Sequence, residues 1–112
     1  MYYLKKTLTV AGAHHLALDY DSKCANLHGH NWRVTAYCKG DKLNASGMLV
    51  DFTDIKKAVE ALDHADLNRV LYPLNPTAEN IARWLCKAIP CCYWVDVEET
   101  EGNIASYEHQ DV

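Results

Sequence analysis

The chain has 112 residues, 49% of them hydrophobic and 23% charged, which fits one compact domain over 1–112 and excludes a disordered chain. A net charge of -4 without any basic run argues against nucleic acid as a partner, because binding a phosphate backbone needs a positive footprint. No apolar run approaches a membrane span, and Met1–Lys6 lacks the features of a signal peptide, so a cytoplasmic protein without membrane attachment is expected.

Tyr3 to Ala13 reads as the first strand, with Leu4, Leu8 and Val10 on one parity and Lys5, Thr7 and Thr9 on the other. Lys6 interrupts the apolar face and predicts a bulge or a wet barrel interior. Residues 16–29 read as a loop. Asn31 to Lys39 alternates again, placing Trp32, Val34, Ala36 and Cys38 on one face. Gly40 to Gly47 is polar and turn-like. Asp51 to Leu62 has helical spacing at Ile55, Val59 and Leu62, with Asp51 or Thr53 as N-cap. Residues 63–76 form a connection ending in Asn75-Pro76. A second helix starts at Thr77 as N-cap and runs to Ala88, and Pro90 ends it. Cys92 to Glu99 is a strand with Tyr93, Val95 and Val97 on one face, and Asn103 to Glu108 is the last strand. The order ββααββ predicts an α+β fold, with helices on one face of an antiparallel sheet. A domain this small gains from oligomerisation, and seven Tyr and three Trp supply apolar surface for subunit contacts. The five cysteines at 24, 38, 86, 91 and 92 are an odd number without framework spacing, and read as free, mostly buried thiols.

The strongest chemical signal is Cys24-Ala25-Asn26-Leu27-His28-Gly29-His30. In extended backbone, residues i and i+2 point to the same side, so His28 and His30 can grip one ion, with Gly29 allowing a close approach. Two imidazoles suit zinc, and a catalytic site wants a third ligand and an open position. His14 has the parity of Leu8 and Val10 and is the expected third ligand; His15 points away unless a bulge intervenes. A closed site with Cys24 as fourth ligand fits the same spacing. Outside the coordination sphere, Cys24 is instead a thiolate beside a dication, able to act as a base. Asp63-His64 reads by type as a helix end with a surface histidine. Glu99 has the parity of Val95 and Val97. It is either a solvated carboxylate or an inward one whose apt partner is the amino-pyrimidine edge of a pterin or guanine.

Together these pieces resemble the 6-pyruvoyl-tetrahydropterin synthase family. Within it they resemble the bacterial 6-carboxy-tetrahydropterin synthases of the queuosine pathway. The resemblance rests on Ala13-His14, Cys24-x-x-x-His28-Gly29-His30, Gly47-Met48-x-x-Asp51-Phe52, Leu62-Asp63-His64-x-x-Leu67-Asn68, Asn75-Pro76-Thr77-x-Glu79-Asn80 and Glu99-Thr100. It implies the tunnelling fold (T-fold), in which three subunits close a barrel and two rings stack into a homohexamer with active sites between subunits. It implies Zn2+ on His14, His28 and His30, and Cys24 as general base. Asp63 and His64, given by the neighbouring subunit, would relay protons with it. Glu99 would anchor the pterin and join the relay, and Thr77 would add a pterin contact. The implied reaction turns 7,8-dihydroneopterin triphosphate into 6-carboxy-5,6,7,8-tetrahydropterin, acetaldehyde and triphosphate. Lys23, beside Cys24, is a candidate for holding the triphosphate, or a solvated loop lysine. The competing expectations are a pyruvoyl synthase or dihydroneopterin-cleaving enzyme of the same family, and a non-catalytic pterin- or purine-binding module. The chain departs from the family pattern in a trimmed loop after Leu16, in Val10 for a usual Phe and in His15 for a common Arg.

Overall fold

The computed structural model describes residues 1–110. Two long strands dominate it: β1 (Tyr2–His14) and β2 (His28–Gly40) pair antiparallel, in unbroken register from Tyr2 opposite Gly40 to His14 opposite His28. Their even-numbered residues turn to one side, and Val10, Trp32, Val34, Ala36 and Cys38 are buried there. Helix α1 (Phe52–Glu60) covers that side with Ile55 and Val59. Asp51 caps it by accepting from the Thr53 amide at 2.8 Å, satisfying an orphan N–H of the first turn. Helix α3 (Ala78–Ala88) adds Ile81, Ala82, Leu85 and Cys86, with Thr77 as its N-cap. Strands β4 (Cys92–Thr100) and β5 (Asn103–Glu108) complete a five-stranded sheet.

The ββααββ order and the placement of both helices match expectation, with one insertion. The 63–76 connection contains a two-residue strand, β3 (Ala65–Asp66), and a single helical turn, α2 (Leu67–Val70). β3 pairs parallel to Gly12 and Ala13, so the sheet order is β3-β1-β2-β4-β5 and the sheet is mixed rather than purely antiparallel. Segments this short carry too little period to be read from sequence. Leu67 is fully buried against this join, and a Cβ on Gly12 would lie 3.2 Å from the Leu62 carbonyl oxygen and 3.3 Å from the Leu67 methyls. The absent side chain at Gly12 is therefore what lets the connection pack on β1.

Three local expectations are corrected. β2 begins at His28 rather than Asn31, because the histidine pair itself joins the ladder. Of the two readings of Lys6, the bulge is absent, since the β1–β2 register runs through it unbroken; its ammonium lies 5.8 Å above the Phe52 ring, at the margin of the helix layer. Tyr93 does not share the buried face of Val95 and Val97. The β2–β4 register shifts so that Tyr37 faces Trp94 and Cys38 faces Cys92, leaving Tyr93 as the extra residue. Cys92 takes the core position, and the Tyr93 ring lies 6.4 Å from those of Tyr3 and Tyr37. All five cysteines are free; Cys38, Cys86 and Cys92 are buried, Cys24 is half-buried and Cys91 is exposed. Burial pushes the Cys86 thiol up to about 12, which keeps it protonated.

Leu67→Ala should cost about 2–5 kcal/mol, the range for a buried leucine truncation. Arg69→Ala, on the exposed side of the same turn, should change stability by less than about 0.5 kcal/mol. Urea denaturation of both variants measures the contrast.

Candidate metal centre

The β1–β2 register sets the site. His14 and His28 are direct partners across the ladder, and His30 lies two residues along β2 on the same face. Their side-chain ligand atoms all lie within 4.8 Å of one another, a group able to hold a metal ion. The ring centroids are 4.5 Å apart for His14–His28, 4.8 Å for His28–His30 and 5.2 Å for His14–His30. Trp32 forms the floor, with centroids 4.9 Å from His14 and 5.1 Å from His30, and its indole N–H donates to the Gly12 carbonyl at 3.1 Å. His15, one residue on from His14, is exposed.

Two ring orientations are fixed by main-chain carbonyls. His14 Nδ1 lies 2.7 Å from the Pro76 oxygen, and His28 Nδ1 lies 2.7 Å from the Asn26 oxygen. A carbonyl cannot donate, so each Nδ1 carries the hydrogen and each Nε2 keeps a free lone pair. His14 is fully buried, and its Nε2 and that of His30 are buried without a hydrogen-bond partner. Buried polar atoms are rarely left so. The inward lone pairs of His14 and His28, with the unbonded His30 nitrogen beside them, suit a divalent, imidazole-preferring ion, so the donor set fits zinc. Sequence reasoning missed both carbonyl partners, since main-chain acceptors leave no residue-type signal.

Burial lowers the His14 pKa below the ordinary 6.5, opposed by its bond to Pro76 and reinforced by His28. Burial also lowers His30, with the Glu99 charge opposing and His28 reinforcing. Both rings are therefore neutral near pH 7, the form that binds metal.

Glu99 turns inward, as its parity allows. Its Oε1 lies 3.4 Å from His30 Nε2, close enough for attraction but not aligned as a hydrogen bond. It also borders an open cleft of about 400 Å3 lined by Ala78, Glu79, Gly102 and Asn103. Cys24 lies outside the histidine group, in a short 3-10 turn (Lys23–Ala25) capped by the Ser22 hydroxyl. Lys23, on the same turn, is exposed. The Thr77 hydroxyl accepts from the Asn80 amide at 3.2 Å in capping α3. Gly29 makes no close approach; a Cβ there would meet only the Gly12 oxygen, at 3.8 Å.

Asp63 and His64 are adjacent yet interact, with His64 Nε2 3.7 Å from Asp63 Oδ2. Regular backbone would separate them. His64 has φ 55, which swings its ring alongside the carboxylate. Asp63 Oδ1 accepts from the Ala11 amide at 2.9 Å, and the His64 amide donates to the Ala11 carbonyl. The pair is thereby clipped to β1. His64 lines a groove of about 430 Å3 beside the β1–β2 ladder, with Ala11 to Ala13 on β1 and Gly29, His30 and Asn31 on β2. One chain thus brings together the three histidines and Glu99, and clips Asp63-His64 to the edge of β1 outside that group.

The depressed histidines make metal-free stability depend on pH. Above 6.5 both folded and unfolded rings are neutral and stability is full. As pH falls below 6.5 the unfolded chain takes up protons first, so stability declines until the folded rings titrate. Chemical denaturation of the metal-stripped protein between pH 7.5 and 5 should show this decline, and His14→Gln should flatten it.

The model of the 6-pyruvoyl tetrahydropterin synthase family matches residues 3–110. The chain is 32% identical to the 6-carboxy-5,6,7,8-tetrahydropterin synthase of Synechocystis, over 96% of this chain and 93% of that protein. It is 28% identical to the protein of the same name from Bacillus subtilis, over 93% and 83%. Among solved structures, the 6-pyruvoyl tetrahydropterin synthase of Caenorhabditis elegans superposes with a TM-score of 0.73 at 25% identity, covering 97% of this chain and 96% of that one.

Proposed function

The chain belongs to the 6-pyruvoyl tetrahydropterin synthase family, and from that premise we propose that it is a zinc-dependent lyase of the 6-carboxy-tetrahydropterin branch. Its substrate is 7,8-dihydroneopterin triphosphate, and its products are 6-carboxy-5,6,7,8-tetrahydropterin, acetaldehyde and triphosphate, as in queuosine biosynthesis. The carboxy-pterin branch is favoured because the full-length relatives from Synechocystis and Bacillus subtilis carry that name. The observation that carries the zinc reading is the pair of buried, unpartnered imidazole nitrogens on His14 and His30, with Glu99 at their edge.

In this reading His14, His28 and His30 hold the zinc. The bound ion supplies Lewis acidity that lowers the pKa of side-chain hydroxyls on the substrate. Glu99 occupies the junction between the histidines and the cleft. Its two oxygens match the two parallel donors of the amino-pyrimidine edge, which fixes the ring while the side chain reaches the histidines. Cys24, outside the ligand group, is free to take a proton from the substrate side chain. Thr77 keeps a hydroxyl hydrogen for the pterin while its oxygen caps α3. Lys23 is placed on the exposed side of the Cys24 turn, where a triphosphate would extend.

In this reading Asp63 and His64 join the chemistry of a second copy, since within one chain they are clipped to the β1 edge at Ala11 and lie outside the histidine group. The edge of β1 supports such an assembly. β3 pairs only with Gly12 and Ala13, so the edge from Tyr2 to Ala11 has no strand partner among the described residues. Tyr2 and Tyr3 at its start, and Ile104 on the other edge strand, are large apolar residues left exposed. We infer the homohexamer of two stacked trimeric rings, with active sites between subunits, in the cytoplasm.

Three outcomes are expected. Light scattering should give six times the 12.7 kDa chain mass. Zinc-loaded protein should consume dihydroneopterin triphosphate with the carboxy-pterin identified by mass; loaded hexamer that yields a pyruvoyl product, or none, would sink the assignment. Cys24→Ala should lower kcat by at least about 100-fold, the usual worth of a positioned base, while bound zinc stays near one per chain. Loss of zinc in that variant would instead make Cys24 a ligand.

A further inference from the structure

After His14, the chain leaves β1 and runs through His15, Leu16 and Ala17 with no strand beside it. Its main-chain groups are nevertheless paired. The Asn68 side chain accepts from the His15 amide at 2.8 Å and donates to the His15 carbonyl at 2.9 Å. The Asn75 side chain does the same for Ala17, at 2.9 and 3.1 Å. Each carboxamide presents one acceptor and one donor, as a neighbouring strand would at alternate residues. In an extended chain, residues 15 and 17 direct their N–H and C=O groups to one side and residue 16 to the other. On that other side the Leu16 amide donates to the Cys24 carbonyl at 2.8 Å.

The two asparagines are themselves held. The Asn68 amide is capped by Asp66 at 3.0 Å. The Asn75 carbonyl accepts from the Asn80 side chain and the Thr77 amide, both at 2.8 Å. The next carbonyl, Pro76, is the one that orients His14. The Asn75-Pro76 segment before α3 therefore bonds both a histidine of the metal group and the 15–17 strip, which in turn bonds the Cys24 carbonyl through Leu16. Among the described residues, this is the main-chain hydrogen bond that ties the Cys24 turn back to the β1 side of the domain, as the Asn26 carbonyl at its end ties it to His28.

We propose that Asn68 and Asn75 are positioning residues for Cys24, acting as a two-carboxamide substitute for a missing strand that holds residues 15–17 and, through Leu16, the Cys24 turn. They touch no reacting atom. The proposal rests on Cys24 being the base of the reaction proposed above, and two of its readouts are independent of that reaction. Removing a bracket should leave the ladder and the histidines intact while letting Cys24 wander, and a displacement of about 1 Å costs on the order of 100-fold in rate.

The test compares wild type, Asn68→Ala and Asn68→Asp as zinc-loaded full chains. Asn68→Asp keeps the acceptor for the His15 amide and the side-chain volume, and replaces the donor with a carboxylate oxygen, so it guards against a variant that fails to fold. In Asn68→Ala, the Leu16 amide should exchange hydrogen at least ~10-fold faster, and iodoacetamide should alkylate Cys24 at least ~3-fold faster relative to the exposed Cys91. Its kcat should fall ~10- to 100-fold with KM changed less than ~3-fold and zinc content unchanged. Asn68→Asp should lie between the two. Unchanged Leu16 exchange and Cys24 alkylation in both variants would overturn the proposal. So would a fall in kcat that merely tracks loss of zinc or of folded protein. If wild type proves inactive on the pterin, the reaction assignment fails, while exchange and alkylation still decide whether the bracket holds Cys24.

Discussion

Across the β1–β2 ladder, His14 faces His28 and Gly12 faces His30, and the same register puts Val10 opposite Trp32 and Leu8 opposite Val34. Because side chains alternate with a period of two, a slip of one residue on either strand would send that strand's histidines to the other side of the sheet. The slip is prevented by the same residues that fill the core. Trp32, Val34, Ala36 and Cys38 would all leave the helix layer with His28 and His30. Each large apolar side chain so exposed forfeits roughly 1.5–3 kcal/mol. The histidine group is therefore held in place by the hydrophobic core more than by any contact among its own residues.

The ladder places the rings but does not orient them. Orientation comes from carbonyls outside the sheet, Pro76 for His14 and Asn26 for His28, and these direct the Nε2 lone pairs inward. Burial then disfavours protonation, which would otherwise relieve the unpartnered His14 and His30 nitrogens. His14 and His30 are thereby held in the neutral form, with one carboxylate beside them. An unmetallated chain bears the desolvation cost of these nitrogens, and an ion that accepts their electron pairs would remove it.

What the sequence made legible follows from period and chemistry. Alternation located β1 and β2 and put His14 on the parity of the buried face; Thr77 marked the start of α3, and of the two caps open to α1 the structure uses Asp51. Glu99 was readable as an inward carboxylate because its parity continued that of Val95 and Val97. The failures are equally physical. A bulge adds one residue without leaving any compositional mark, so Tyr93 was assigned to the wrong face. β3 and α2 are too short to show a period. Gly29 looked like a device for close approach, but the glycine that the packing needs is Gly12, under Leu62 and Leu67. The asparagine brackets are invisible for another reason: a carboxamide pairing with main chain is compatible with any side chain at positions 15 and 17.

Asp63 and His64 show how a short irregular segment can overturn a rule drawn from regular structure. Consecutive residues in a helix or strand diverge, and the left-handed backbone at His64 removes that divergence at a cost of roughly 1–2 kcal/mol for a residue with a Cβ. Asp63 and the His64 amide offset it by engaging both main-chain groups of Ala11. The His64 side chain is 84% exposed, so its attraction to Asp63 adds little to the stability of one chain. A strained backbone that presents an exposed imidazole with its own carboxylate, at the edge of the sheet, makes physical sense when another surface covers it. In the proposed assembly that surface is the neighbouring chain's Cys24 and histidine face. Each chain then carries the metal half of one site and the proton-relay half of the next, which is why neither half alone resembles a finished triad.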